Sequence, residues 1–274
     1  MIFLKKVLII LIFIIGLFIL DGFFINSKGF KTDEVVINID TLPDDFEGFK
    51  IMQISDLLIK DSNDLKRISD IVKVSNERKP DIIVFTGDLL NSKNELSDSD
   101  IDNFKKILKE MTCTLYKYAV FGDNDLKNID LFNNIMMDAN FKILDNESTY
   151  LFYKNIKPIK ITGLKDTNNL EKSFKTNEDY ETIFNLVLTH YPDNVDSLNN
   201  FDNLVVLAGH SLKGQVRIPF YGGIIREDGA KKYYDEFYQL NNAMLYVSGG
   251  IGNNKIDFRL FNKPEINLYR LERK

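Results

Sequence analysis

An α/β domain carried behind one apolar helix is the architecture this sequence predicts, and three features predict it. The first 25 residues are almost wholly apolar. Through the first half, short β-branched runs alternate with stretches of helical period, the pattern of βαβ units. The second half is richer in strand patterns and turn residues.

The N-terminal segment sets the first expectation. Lys5 and Lys6 precede the unbroken apolar run Val7 to Leu20, followed by Asp21 and Gly22-Phe23-Phe24-Ile25. The run alone is shorter than the ~20 residues that cross a bilayer. With Met1 to Leu4, Phe23 to Ile25 and snorkelling lysines it reaches that length. A cleaved signal peptide shares the charged start and short apolar middle, but should end in small residues, and Leu20-Asp21-Gly22-Phe23 has no such ending. A buried core helix would show a polar face, and this segment has none. The expectation is an uncleaved, single-pass membrane anchor over 1–25. Lys5 and Lys6 place its start in the cytoplasm and the domain on the extracytoplasmic side of the cell membrane. Residues 26–33 read as a linker and 34–274 as the domain.

The domain's elements follow in order. Glu34 to Ile39 alternates as a strand, turned by Thr41-Leu42-Pro43-Asp44-Asp45. Lys50 to Ser55 is a strand, Asp61 to Arg78 a helix stopped by Pro80, and Asp81 to Phe85 a fully apolar buried parallel strand. A helix over Asp98 to Met111, a strand over Tyr116 to Phe121, a helix over Ile129 to Ala139 and a strand over Phe141 to Leu144 continue the alternation. Thr149 to Tyr153 and Ile156 to Gly163 read as a hairpin, and Asp166 to Asp179 as a polar surface excursion. Ile183 to Thr189, Leu204 to Ala208, Gln215 to Pro219, Ala243 to Ser248, Lys255 to Phe261 and Glu265 to Leu271 are the remaining strands.

Composition bounds the function. The 274 residues carry a net charge of -5 with no basic tail, which argues against nucleic acid as a partner. The single cysteine, Cys113, excludes an intramolecular disulfide and reads as a packed hydrophobe. There are only two histidines, His190 and His210.

In α/β sheets, ligands gather at the carboxyl ends of strands. Five strand ends carry an Asp or a His: Asp56, Asp88 after Thr86-Gly87, Asp123 and Asp125 after Gly122, His190, and His210 after Gly209. Singly, such an Asp is most often a cap or turn residue and such a His a hydrogen-bonded structural group. Together, at equivalent topological places, they make a set of carboxylates and imidazoles suited to Mn, Fe or Zn.

The order of these pieces resembles the calcineurin-like metallophosphoesterases, in particular their membrane-associated branch. The resemblance rests on Asp56-Leu57-Leu58, Gly87-Asp88-Leu89-Leu90-Asn91, Gly122-Asp123-Asn124-Asp125, His190-Tyr191-Pro192-Asp193 and Gly209 to Gln215, and runs on through Tyr246 to Gly252 and Arg259 to Ile266. It implies a four-layer α/β/β/α sandwich of two mixed sheets flanked by helices. It also implies two adjacent metals bridged by Asp88. One would use Asp56, Asp88 and two histidines whose positions here hold Leu58 and Leu212. Leucine donates no electron pair, and two carboxylates fall short of the usual about three or four ligands. The other would use Asp88, Asp123, His190 and His210, all able to coordinate. The resemblance thus implies one divalent transition metal rather than a two-metal centre.

The family's general acid is a histidine, and that position is Asn124, which has no proton to exchange near neutral pH. Asp125, which would orient that histidine, remains. Lys60 and Lys213 lie close in sequence to the lost histidines and are candidates for holding a phosphate oxygen. The expected function is a membrane-anchored phosphoesterase acting on a phosphorylated lipid or envelope substrate. The alternatives are a pseudoenzyme that binds a phosphorylated ligand or protein without turnover, or a metal-free set of structural contacts.

Overall fold

An all-apolar segment satisfies its own backbone only as a helix. In the computed structural model, which describes residues 2–40, 42–154, 157–176 and 180–274, that helix is α1 (Ile2–Phe24). Its segment Phe3–Phe24 is long and apolar enough to cross a membrane and lies almost entirely off the domain. Its final turns touch the rest of the chain. Phe18 packs on Phe261, Phe23 on Phe258, and the Arg259 N–H donates to Gly22 O at 3.1 Å.

The first half alternates as expected. β1 (Lys31–Ile39) and β2 (Lys50–Ile54) precede α2 (Asp64–Arg78), which ends at Lys79 in the left-handed conformation ahead of Pro80. β3 (Ile82–Phe85) leads to α3 (Asp98–Lys109), begun by a capping box of Ser97 and Asp100. β4 (Lys117–Ala119), α4 (Ile129–Asp138), capped by Asn128, and β5 (Phe141–Ile143) complete it. The second half contains β6 (Glu147–Leu151), β7 (Ile159–Leu164), α5 (Leu170–Phe174), β8 (Asn185–Thr189) and β9 (Leu204–Ala208). β10 (Arg217–Ile218), β11 (Gly222–Gly223), β12 (Phe237–Gln239), β13 (Ala243–Val247) and β14 (Glu265–Arg273) follow.

Among the described residues these form two six-stranded sheets, ordered β1-β14-β2-β3-β4-β5 and β12-β13-β9-β8-β7-β6, plus the β10-β11 ribbon. Both sheets are mixed: β14 runs antiparallel to β2, and β6 and β12 are antiparallel edges on parallel cores. The sheets face each other through Ile51, Val84, Tyr118 and Leu271 on one side and Ile161, Leu186, Val205 and Leu207 on the other. The outer face of the first sheet is covered by α2, α3 and α4 through Ile68, Phe104 and Ile135. The second is covered by α5 and a 3₁₀ segment through Phe174, Val195 and Leu198. This is the expected four-layer sandwich, and each such side chain stabilises it by about 1.5–3 kcal/mol. Below the loops the sheets are stitched by Gln53, whose amide donates to Thr86 Oγ1 and Ala208 O at 2.9 Å. Tyr269 closes the set by donating to Gln53 Oε1 at 2.8 Å.

Several expectations change. β1 begins at Lys31 inside the stretch read as linker, because it pairs in parallel with β14 from Lys31↔Glu265 onward. Lys255 to Phe261 is not a strand. It is a loop wrapped around the fully buried Arg259, whose guanidinium donates to Asn253 Oδ1 and to the carbonyls of Gly249, Gly250 and Gly252. Backbone bent to present those carbonyls cannot run extended beside another strand. Gln215 to Pro219 contributes only the two residues of β10, and the polar excursion after Leu164 contains α5. Thr41, Asn155, Ile156 and Asn177 to Asp179, which the expected turn, hairpin and excursion include, lie outside the described residues.

Candidate metal centre

The carboxyl ends of β2, β3, β4, β8 and β9 converge, and the loops leaving them bring the predicted residues together. Asp88 and Asp56 sit at φ 61° and 51°, and His210 at φ 64°. These left-handed turns fold each loop back over the sheet edge, a conformation that costs an L-residue about 1–2 kcal/mol. Close approach does the rest. A Cβ on Gly122 would lie 2.3 Å from Asp88 Oδ1, and one on Gly209 would fall against Ser55 Oγ.

Three donor atoms, from Asp123, His190 and His210, meet, and Asp88 approaches them through His190. His190 Nε2 lies 3.3 Å from Asp123 Oδ1 and 3.6 Å from Asp88 Oδ1. His210 Nδ1 lies 3.4 Å from Asp123 Oδ1 and 3.2 Å from His190 Nε2. Ligands bound at about 2.0–2.1 Å to a tetrahedral cation stand about 3.3–3.4 Å apart. Asp123 Oδ1, His190 Nε2 and His210 Nδ1 therefore have the edge lengths of one face of a coordination shell.

The outer nitrogens decide which atoms face inward. His190 Nδ1 lies 2.7 Å from Thr86 O, and His210 Nε2 lies 2.8 Å from Asp228 O. A carbonyl only accepts, so each of these nitrogens carries the proton. In neutral imidazoles the inner nitrogens are then bare lone pairs, directed at each other and at a carboxylate. Asp123 Oδ1 is buried and has no hydrogen-bond partner. Three electron-rich atoms in this arrangement repel unless a cation or a proton sits among them. The donor set fits a divalent transition metal.

The charges respond accordingly. Interaction with His190 and His210 holds the Asp123 carboxyl well below the usual range. Burial pulls the His190 imidazole down, but Asp88, Asp123 and Asp56 outweigh it and raise its pKa. Asp56 is raised by burial. It accepts from the His210 N–H at 3.1 Å and from Ser55 Oγ at 2.5 Å, and forms a second cluster with Asp88 and His190 whose ligand atoms lie within 4.8 Å of one another.

Asp125 is a clip. It accepts from the backbone N–H groups of Asp88, Leu89 and Gly122 at 2.7, 2.9 and 2.8 Å, joining two of the loops. Burial and the neighbouring Asp88 push its pKa up to about 7, against those hydrogen bonds. Asn124 leans on Asp88. Its backbone N–H reaches Oδ1 at 2.9 Å and its side-chain amide Oδ2 at 2.6 Å.

Leu58 and Leu212 are buried, at φ 47° and 48°, against Gly252 and Gly250. Bulky side chains seldom adopt this conformation. The loops thus keep their curvature at two positions that supply no ligand. Lys60 and Lys213 do not join the cluster. Lys60 pairs with Asp257 at the surface. Lys213 is buried and paired with Glu265 and Glu236, so the ammonium expected to hold phosphate is already neutralised by carboxylates.

The sequence reading missed Asp228, whose backbone carbonyl fixes the His210 tautomer and carries no side-chain signal. It also passed over Tyr191, present in the quoted motif only as a spacer. The Tyr191 ring packs edge-on to both imidazoles, 4.7 Å from His210 and 5.3 Å from His190 between centroids.

The calcineurin-like phosphoesterase family profile matches residues 49–214, which contain the loops that carry Asp56, Asp88, Asp123, His190 and His210. The chain is 28% identical to the metallophosphoesterase YkuE of Bacillus subtilis over 88% of this chain and 85% of that protein. It is 26% identical to the phosphodiesterase YaeI of Escherichia coli over 83% and 84%. It is 23% identical to the UDP-2,3-diacylglucosamine pyrophosphatase LpxG of Chlamydia muridarum over 81% and 83%. With the fold, the converging loops and this match to more than half its length, the chain belongs to the calcineurin-like phosphoesterase family.

Proposed function

We propose that this chain is a membrane-anchored phosphoesterase of low turnover that holds one divalent transition metal on Asp88, Asp123, His190 and His210. The observation that carries the reading is that the inward nitrogens of His190 and His210 lie 3.2 Å apart and within 3.4 Å of Asp123 Oδ1, while carbonyls hold their outer nitrogens. A metal there would supply positive charge to a phosphoryl oxygen and acidify water. The protein's own part is to hold that charge in place. Thr86 and Asp228 carbonyls orient the imidazoles, and Asp125 locks the Asp88 loop against the Asp123 loop. Asn124 donates hydrogen bonds but delivers no proton, which removes a contribution of about 10² to 10⁴ in rate.

The substrate we propose is a phosphoester on a lipid or envelope component. α1 supports it by tethering the site near a bilayer, with Lys5 and Lys6 on the cytoplasmic side and the domain on the other. The relative LpxG, by its name, acts on a diacylated sugar nucleotide. The second reading, a pseudoenzyme that binds without turnover, is favoured by one observation. Asn124 occupies both Asp88 oxygens and sits where an acid would be needed.

Metal analysis of the purified chain tests the proposal. One equivalent is expected, with hydrolysis of a chromogenic phosphodiester that His210→Ala abolishes. Absence of metal, or two equivalents, would refute the single-metal centre. One equivalent without hydrolysis would select the pseudoenzyme.

A further inference from the structure

We propose that the tip of the β10-β11 hairpin, Ile218-Pro219-Phe220-Tyr221, together with Phe261, inserts into the bilayer that α1 crosses and forms a second, interfacial attachment of the domain. The inference rests on α1 being a membrane span.

The hairpin tip is turned outward from the domain. The Phe220 side chain is fully exposed, and Ile218, Tyr221 and Ile224 are exposed beside it. Phe220 also sits at φ 67°, in a turn closed by the Tyr221 N–H donating to Ile218 O at 3.1 Å. That turn position favours glycine. An aromatic ring held there, in a disfavoured backbone conformation and without packing, is rewarded only by something outside the chain.

Position identifies the outside partner. Ile218, Phe220, Tyr221 and Phe261 line one groove. The Phe261 ring packs edge-on against Phe18 of α1, with centroids 5.2 Å apart. Phe18 lies about 9 Å along the axis before Phe24, on the apolar side of Asp21. A residue touching Phe18 is therefore at the depth of the apolar span, and the groove it shares with Phe220 is at the boundary of acyl chains and headgroups. Aromatic tips with a neighbouring lysine, here the exposed Lys263, partition to that boundary. The attachment also has a consequence for the site. The hairpin leaves the loop that carries His210, and Val216 bridges Leu260 beside the anchor contacts. Docking this hairpin would set the height of the candidate metal centre above the membrane, as a lipid-borne phosphoester requires.

The chain contains no tryptophan, so a single introduced one is the only indole emitter. The full chain would be reconstituted into phosphatidylcholine–phosphatidylglycerol vesicles, with and without bromine on the acyl chains. Three variants are compared: Phe220→Trp, Phe18→Trp in the anchor and Tyr116→Trp, an exposed position just ahead of β4 on the domain. Expected are a blue-shifted Phe220→Trp emission that brominated lipid quenches, quenching of Phe18→Trp, and none of Tyr116→Trp. Quenched Phe18→Trp with unquenched Phe220→Trp overturns the hairpin attachment and leaves the anchor standing. Unquenched Phe18→Trp sinks the anchor and this inference with it. Equal quenching of Tyr116→Trp and Phe220→Trp overturns it as unspecific adsorption.

Discussion

Replacing His210 with alanine removes one of the three donors that meet at the candidate centre, and the structure allows its effect to be sized. His210 places Nδ1 3.2 Å from His190 Nε2 and 3.4 Å from Asp123 Oδ1. Removing even an outer partner of a metal ligand costs about 10- to 100-fold in affinity, so losing the ligand itself raises Kd about 100-fold or more. At a metal concentration near 100 Kd the folded wild-type chain gains about 2.7 kcal/mol. At that same concentration the variant gains about 0.4 kcal/mol. A domain of this size shifts in Tm by about 2–4 °C per kcal/mol. The metal-dependent rise therefore falls from about 5–11 °C to about 1–2 °C. Without metal the variant loses the Nε2–H bond to Asp228 O, about 1 kcal/mol, so its Tm lies about 2–4 °C below the wild-type value. The assay is thermal unfolding of the full chain in detergent with manganese or zinc against EDTA. A wild-type Tm that ignores both metals, or a variant that keeps the whole shift, would refute the reasoning.

Other perturbations follow from the same geometry. Gly122→Ala drives a Cβ against Asp88 Oδ1 and the Asp88 backbone nitrogen, 2.3 and 2.4 Å away, and should cost more than about 2 kcal/mol in denaturant unfolding, with loss of metal uptake. Glu265→Gln leaves the buried Lys213 ammonium with only Glu236 and the more distant Asp33, and should destabilise by about 3 kcal/mol. Burial raises the Glu265 pKa, but Lys213 and Lys31 outweigh it and hold it below 4.5. Its stabilisation is therefore present above pH 4.5 and lost as pH falls through the depressed value. The variant's stability should accordingly fall less steeply in acid. The triple change Leu58→His, Asn124→His and Leu212→His restores the residues that the family resemblance implies. It should raise phosphodiester turnover by about 10² or more, and unchanged turnover would count against the implied roles of those positions.

Much of the fold was legible because it is written in local patterns. Val84 and its neighbours are apolar on both faces, which marks a strand buried between layers, and Pro80 marks a helix end. Lys255 to Phe261 misleads because its apolar alternation reads as a strand, whereas Phe258 and Phe261 pack on α1 and Arg259 turns into a cage of carbonyls. α5 and β12 are too short for periodicity to register.

The candidate site divides in the same way. The amino-acid sequence alone determined which residue types stand at the strand ends, including that Leu58, Leu212 and Asn124 occupy positions to which the family resemblance assigns histidines. Tertiary structure alone decided that His190 and His210 turn their inner nitrogens toward Asp123, that Asp125 serves as a clip, and that Lys213 is taken up by Glu265. Each of those outcomes depends on a partner brought close by sheet order, often a backbone carbonyl or amide. Main-chain groups are the same for nearly every residue, so no side-chain pattern along the chain can announce which of them will accept the proton.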